Sequence, residues 1–539
     1  MALRRPIPLW AGACGAIAAA VVAWPAMAQD AAALPDAGTA ATPEQSAEIA
    51  LVVPADAPQR LLVTTNGWLD SRQSYTRVGW DRLLPSRDVP TWSNLSEANI
   101  QLKLRWKDKD GQDVGDGGAD VSFLYQKAGG YWTADDTGQQ ARVADHDVAT
   151  YHPAAIVSEL YGNWRPSEHL QILLGKKRIT WGPGITLNPT DLLNPPKDPS
   201  DPTLQRAGAW LARVEAPFEK WTLSLVGAAK VTRQYGGIPG SLLYYPDYPA
   251  LTTLDNNGNK VATADDTRPH FATALRAYGL WHETDINAMV YMTQLYNDAF
   301  TWKPRLGLSA SHIFANAWEL HVEALGQTGS ARLQVQGDCV QSLATAVGCV
   351  TSGKPVAGYS KLDDGVFRAK AIAGVRYMFG DAAQVSAEYL YNGDGYNSNE
   401  FSSYISAVQL MSSAARSGLT LPSGAGLATP APSDPGSPQR FAFDPVRRHY
   451  ALLSYQQSQI ADDWSVIGLV LMDLEDFSGT LAPTVTWSAR EWLSITAAGF
   501  MSIPGVQSRG GLAGDGTRYS EFGVNPLVWR AFLSARLFY

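Results

Sequence analysis

The sequence predicts an all-β chain: a transmembrane, antiparallel, up-and-down barrel of about eighteen strands. Three observations predict it. Apolar and polar residues alternate through most of the chain, and no run of eighteen apolar residues builds up beyond residue 28. Short and long connections between the alternating segments also alternate. Finally, aromatic residues are abundant (18 Trp, 22 Tyr, 15 Phe) while charged residues make up only 17%, below the roughly 25% of water-soluble domains.

The N-terminus reads as an export signal. Arg4 and Arg5 precede a small apolar stretch, Ala11 to Ala23, and Ala26-Met27-Ala28 presents small residues to a signal peptidase, so residues 1–28 are expected to be removed. The apolar stretch is too short to span a bilayer as a helix. Cys14 admits a lipoprotein signal, but Ala11 stands where such signals carry Leu, and the Ala-Met-Ala site fits better. Residues 29–58 are rich in Ala, Pro and Asp without periodicity and read as a disordered lead-in to a single barrel domain, 59–539. The formal charge is −8, and loss of Arg4 and Arg5 makes the balance more negative still. That excludes the basic balance of a nucleic-acid binder.

From Leu61 onward the alternation predicts strands near 61–70, 98–107, 119–126, 155–164, 169–181, 207–216, 220–232, 271–281 and 284–296. A second run follows near 303–314, 317–328, 366–379, 383–393, 447–460, 463–474, 481–490, 491–502 and 527–539. Short links fall at 165–168, 217–219, 282–283, 315–316, 380–382 and 461–462. Long ones fall at 71–97, 127–154, 182–206, 233–270, 329–365, 394–446 and 503–526, with 297–302 and 475–480 as short members of the long series. A soluble sandwich has no reason to sort its loops this way; a membrane barrel does.

The last strand has one apolar face, Trp529, Ala531, Leu533, Ala535, Leu537 and Tyr539, and one mixed face, Arg530, Phe532, Ser534, Arg536 and Phe538. Two aromatics ten residues apart match the height of a tilted membrane crossing. The segment resembles the closing strand of a bacterial outer-membrane β-barrel, although alone it also suits a soluble β protein. The resemblance implies a bacterial outer-membrane location, short turns in the periplasm and long loops outside. It implies outer-membrane lipid and the barrel-insertion machinery as partners, the latter through the terminal aromatic. A TonB-dependent transporter, with about twenty-two strands around a plug, is not expected from about eighteen strands and a short lead-in.

Parity selects pore-lining candidates. In 98–107, Ile100, Leu102, Leu104 and Trp106 alternate with Gln101, Lys103, Arg105 and Lys107. A charge facing lipid costs about 2–4 kcal/mol near the midplane, so Lys103, Arg105 and Lys107 are expected to face the pore, as are Arg530 and Arg536. With only Asp70, at the rim, as an inward charge on the first strand, Lys103, Arg105, Arg530 and Arg536 would share one basic wall. A second row, Arg368, Lys370 and Arg376, faces Glu319, Glu323 and Glu388 on flanking strands. Ion pairs that brace the wall and contact with a solute are both open there.

Gly175-Lys-Lys-Arg-Ile-Thr-Trp-Gly-Pro-Gly184, followed by Asn188-Pro189, Asp191 and Asp198-Pro199, is similar to a Gly-Arg/Lys-x-x-x-x-Trp-Gly signature. That signature occurs in proteobacterial barrels that include alginate-export-like and other porin-like proteins; Lys177 stands where Gln is common. Trp181, Gly182, Pro183, Asn188 and Asp191 are candidate constriction residues if 182–206 folds inward. Leu170, Ile172 and Leu174 run in phase with Lys176 and Arg178, which a bulge at Gly175 would reconcile, so the facing of that pair is open. The longest connection, 394–446, with its Gly424 to Gly436 stretch, is expected to be an external flexible loop.

Other chemistry is sparse. Ser311 and His312 are neighbours on one strand and point to opposite faces. The remaining histidines lack ligand spacing, so neither an enzyme nor a cofactor is expected. Asp108, Asp110, Asp113, Asp116 and Asp120 resemble the start of a calcium loop, yet Ala119 stands where the closing Glu belongs; a hairpin turn explains the same residues. Cys339 and Cys349 lie in a polar stretch with no His nearby, which favours a disulfide over a metal site. The family resemblance implies a passive channel for a solute, an anionic saccharide or polysaccharide being the expected class. A channel for hydrophobic compounds or lipids, using inward Phe532, Phe538 and Leu325, is one alternative, and a non-transporting adhesin or scaffold is another. Monomer and trimer are equally compatible with the sequence.

Overall fold

Eighteen antiparallel strands pair in sequence order, and the first also pairs with the last, so the sheet closes into a barrel. The computed structural model describes residues 61–78, 92–134, 140–142, 152–193, 208–230, 270–416 and 447–539, with short breaks in several of these stretches. The signal peptide, the lead-in, Gly424 to Gly436 and residues 194–207 lie outside the described residues.

The strands are β1 (Leu61–Val78), β2 (Trp92–Lys107), β3 (Asp113–Gly129), β4 (His152–Ser167), β5 (Leu170–Lys177) and β6 (Ala209–Pro217). Next come β7 (Trp221–Lys230), β8 (His270–Trp281), β9 (Thr284–Leu295), β10 (Asp298–Phe314), β11 (Trp318–Thr328) and β12 (Phe367–Phe379). β13 (Ala383–Asn392), β14 (His449–Ile460), β15 (Trp464–Asp473), β16 (Gly479–Arg490), β17 (Leu493–Ile503) and β18 (Leu527–Phe538) complete the wall. Each matches one expected segment. The tight turns at one end need positive φ, supplied for instance by His282 (47°) and Glu283 (61°). Two such residues in a row make the kind of two-residue turn whose twist suits a hairpin.

The period of two sorts the side chains. Leu275, Leu306, Leu308 and Val322 are at least half exposed on the outer face, while their neighbours Ala274, Gly307, Ser309 and Glu323 are buried within. Such an apolar outside fits lipid, not water. Aromatic rows edge it at the turn end, where Trp318 lies 4.5 Å from Tyr377, and Trp464 stacks on Trp487 at 5.6 Å. No helix among the described residues is long and apolar enough to cross a membrane.

Three features depart from expectation. β1 runs on to Val78 and β2 begins at Trp92, because polar residues on both faces of these stretches hide the alternation. β5 stops at Lys177 rather than reaching 181. The long connections hold two helices, α1 (Leu343–Thr351) and α2 (Ser398–Arg416), whose Ala346, Ala407 and Leu410 share a small core with Val340 and Val356. Cys339 and Cys349 are joined by a disulfide within it.

Candidate functional site: a segment across the lumen

Gly175 lies two residues before the chain leaves the wall at Lys177. Its φ is +129°, and a Cβ there would meet the Leu160 carbonyl oxygen at 2.2 Å. The register through it is unbroken, from Gly162 opposite Leu174 to Leu160 opposite Lys176, so the bulge that would have reconciled the parity is absent. Gly175, at positive φ, stays paired within the sheet. Lys176, although in phase with outward Leu174, is buried and donates from Nζ to the Val157 carbonyl at 2.6 Å. Lys177 sits over the Tyr161 ring at 3.4 Å, and the Arg178 N–H donates to Glu159 Oε1 at 3.1 Å.

Beyond Lys177 the described residues 178–185 and 188–193 lie inside the barrel and dock on the far wall. β11 carries Glu319, His321, Glu323 and Leu325 on its inner face. Glu323 Oε1 accepts from the Thr190 N–H and Oγ1, both at 2.7 Å. Its Oε2 takes the Gly184 N–H at 3.3 Å and Asn188 Nδ2 at 3.5 Å. The Ile185 N–H reaches Glu388 Oε1 on β13 at 2.8 Å, and the Tyr291 hydroxyl donates to the Thr190 carbonyl. One carboxylate thus satisfies several backbone and side-chain donors of a chain that crosses a buried space, where unmet donors are costly.

Two glycines make room. Gly182 has φ +88°, and a Cβ there would lie 2.4 Å from Glu323 Oε2. At Gly374 on β12 a Cβ would lie 2.2 Å from His321 Nε2, the nitrogen that meets Glu388 Oε1 at 2.9 Å. The near flank of the segment is apolar: Ile179, Trp181 and Leu193 pack on the inward Leu173, Leu211, Val226, Ala228, Ala272 and Ala274 of β5 to β8. Arg276 lies over the Trp181 and Tyr278 rings and donates from Nε to Asn287 Oδ1 at 2.7 Å. At the tip, Ile185 meets a second inner cluster that includes Leu452, Leu469, Phe500 and Phe522.

The structure thus brings Trp181, Gly182, Pro183, Asn188 and Asp191 into the segment that docks on Glu323 and Glu388. Arg368, Lys370 and Arg376 share the inner face of β12. Arg376 pairs with Glu319 at 2.8 Å. Arg368 turns to Asp364 at the rim instead, with Nη1 at 2.9 Å, and its guanidinium holds the Asp364 carboxyl down at about 2. Bracing by ion pairs therefore describes Arg376 and Glu319 only; the other two carboxylates serve the crossing segment.

The wall around the β18–β1 seam is mixed rather than basic. Asp70 is buried in mid-strand, not at the rim, with Arg536 at 3.3 Å and Arg72 at 3.9 Å. Arg72, on the stretch of β1 that the alternation hid, lies over Phe532 at 4.6 Å. Carboxylates continue inward on β2 to β4: Asp120 takes Asn99 at 2.6 Å, and Asp116 pairs with Arg165 at 2.6 Å. Nor do the four expected cations lie level. Lys103 is opposite Thr64 and Arg105 opposite Leu62, whereas Arg536 is opposite Asp70 and Arg530 opposite Thr76. From Thr64 to Thr76 is roughly 40 Å of strand. Lys103, Arg105 and Lys107 form an exposed inner row near the turn end.

Sequence reasoning missed Thr190, Tyr291 and Arg276, which carry no pattern of their own, and His321, whose place between two inward glutamates was visible. Of the aspartates from Asp108 onward, Asp108 and Asp110 lie in a turn, with Asp108 Oδ1 accepting from the Asp110 and Gln112 N–H groups, while Asp113, Asp116 and Asp120 lie on β3. Among the described residues no cluster of His, Cys, Asp and Glu is arranged to hold a metal ion.

No protein-family model and no curated protein matches the chain. Among solved structures it is similar to a triple mutant of the Rhodopseudomonas blastica porin, with 9% identity over 89% of this chain and 100% of that one and a TM-score of 0.34. A protein described under asymmetric conductivity of engineered proteins gives 9% identity, 88% and 100% coverage and the same score. These likenesses concern the fold alone, and the barrel class of this chain rests on its own closed strand pairing.

Proposed function

We propose that the protein is an outer-membrane channel whose passage is narrowed by residues 178–193. The observation that carries this reading is the docking of that segment on Glu323 and Glu388, across the inside of a closed barrel with an apolar exterior. A scaffold that only displays loops has no use for a strap held at mid-height by buried carboxylates. The turn end faces the periplasm in this reading, and passage is passive. The solute class is an anionic saccharide or polysaccharide, drawn by the exposed row Lys103, Arg105 and Lys107. Passage of apolar compounds is the second reading, favoured by the inward Leu452, Leu469 and Phe500.

Planar-bilayer recording tests this. The wild type is expected to give stable open levels with anion preference, and changing Lys103, Arg105 and Lys107 together to Gln is expected to shift the reversal potential toward cations. Absence of any stable open level overturns the channel. Anion preference unchanged by the triple substitution removes the basic row from selectivity.

A further inference from the structure

The outer face has one polar region. At mid-strand the outward positions are apolar or glycine, apart from Thr65, Thr273, the bulged Ser158, the buried Lys176 and a patch on β1 and β2. There the outward cross-strand pairs are Ser71 with Ser96, Gln73 with Asn94 and Tyr75 with Trp92. Asn94 Nδ2 donates to Ser71 Oγ at 3.3 Å, and Ser96 Oγ to Asn94 Oδ1 at 3.2 Å. Gln73 is exposed and its amide makes no hydrogen bond among the described residues.

The patch lies within the lipid-facing height. Across the seam Gln73 is opposite Leu533 and Ser71 opposite Ala535, and on β18 those two fall between the outward Trp529 and Tyr539. An exposed amide among acyl chains has no partner and is costly there, so something polar covers it. Two cations border the patch. Only Arg77, opposite Trp529, lies above it in register; Lys127 is level with Gln73 and Asn94, at the side of the patch, and its Nζ lies 6.0 Å from the Trp92 ring. Both are exposed, and neither forms an ion pair among the described residues.

This order, one cation above and one beside the amides and hydroxyls with apolar wall below, matches an amphiphile with a phosphate, then amide or ester linkages, then acyl chains. We propose that the outward face of β1 and β2 binds a phosphorylated glycolipid of the outer leaflet. Arg77 and Lys127 hold its phosphate, and Gln73, Asn94, Ser71 and Ser96 meet its amide and hydroxyl groups. A second copy of the chain fits less well: no described strand turns a carboxylate outward at mid-strand, so its wall offers the two cations no partner. The assignment rests on the outer-membrane reading, which puts the loop end in the outer leaflet.

Native mass spectrometry of the barrel in phosphatidylcholine nanodiscs, with and without bis-phosphorylated lipid A, tests the site. The wild type is expected to retain lipid A, and Arg77→Gln with Lys127→Gln to weaken retention about thirtyfold. Gln73→Leu with Asn94→Leu is expected to weaken it while leaving the folded-state electrophoretic shift intact. Equal retention by wild type and both variants overturns the site. Disulfide-linked dimers through Gln73→Cys in lipid A-containing discs overturn it in favour of a second copy. Conductance of the same preparations separates the two readings: a barrel that conducts but holds no lipid A loses only the lipid site, and one that never inserts loses both.

Discussion

Two stretches of the same inner wall have opposite chemistry. From β5 to β8 the inward residues are mostly Leu, Val and Ala, covered by Ile179, Trp181 and Leu193 of the crossing segment. From β18 through β1 to β4 polar residues, Arg, Asp, Asn and Ser, predominate among the inward positions, engaged with one another in pairs such as Asp70 with Arg536 and Asn99 with Asp120. Strand geometry is the same in both. The difference is what each wall faces: where the chain folds back over the wall, burial favours apolar side chains, and where it does not, polar groups satisfy each other. The inside of a barrel is thus not polar by rule. It is polar where nothing packs on it.

The comparison breaks most visibly if the covering segment is displaced. Gly182→Val forces a branched side chain into a positive-φ position that is already against Glu323. The segment is expected to leave its dock and single-channel conductance to rise severalfold, while the barrel keeps its electrophoretic shift. Unchanged conductance would show that residues 178–193 do not limit the passage.

A smaller effect is expected on the other wall. Asp70→Ala leaves Arg72 and Arg536 facing each other without their shared carboxylate, a loss of about 3 kcal/mol for a buried pair. Urea unfolding in lipid vesicles measures it, and a change well under 1 kcal/mol would mean that water already screens this wall.

The smallest effect sharpens the contrast with a rim pair in open solvent. Arg368 holds the Asp364 carboxyl at about 2, below its ordinary 3.8. A depressed carboxylate contributes stability above its unfolded value and loses that contribution as pH falls from about 4 through about 2. Asp364→Asn is therefore expected to leave thermal unfolding at pH 7 almost unchanged, since the pair is exposed. Carboxyl chemical shifts across pH 1 to 5 are expected to place the midpoint near 2; a midpoint at the ordinary value would disprove the pairing.

The contrast between the walls also explains what was legible beforehand. All eighteen strands could be read because the outer face is apolar nearly everywhere, and alternation shows best where the inner face is polar, as on β2 from Gln101 to Lys107. Parity fails at β5, where Leu173 within and Leu174 without are both apolar, and at Ser71 to Val78, where both faces are polar. The first failure marks the covered wall and the second the polar outer patch. Trp181, Gly182 and Asn188 were identifiable as candidates from their motif, but their dock was not. Glu323 accepts from Thr190 across 133 residues, and Glu388 from Ile185 across 203; no local pattern encodes such pairings.

Those separations set an order of events. Residues 178–193 are synthesised well before the strands that carry Glu323 and Glu388, and contacts this distant in sequence form late because the intervening chain must close first. The wall from β5 to β13 has to be assembled before the segment has anything to dock on. The interior of the barrel is therefore born open and crossed afterwards, and a chain caught between those steps is a barrel without its inner segment.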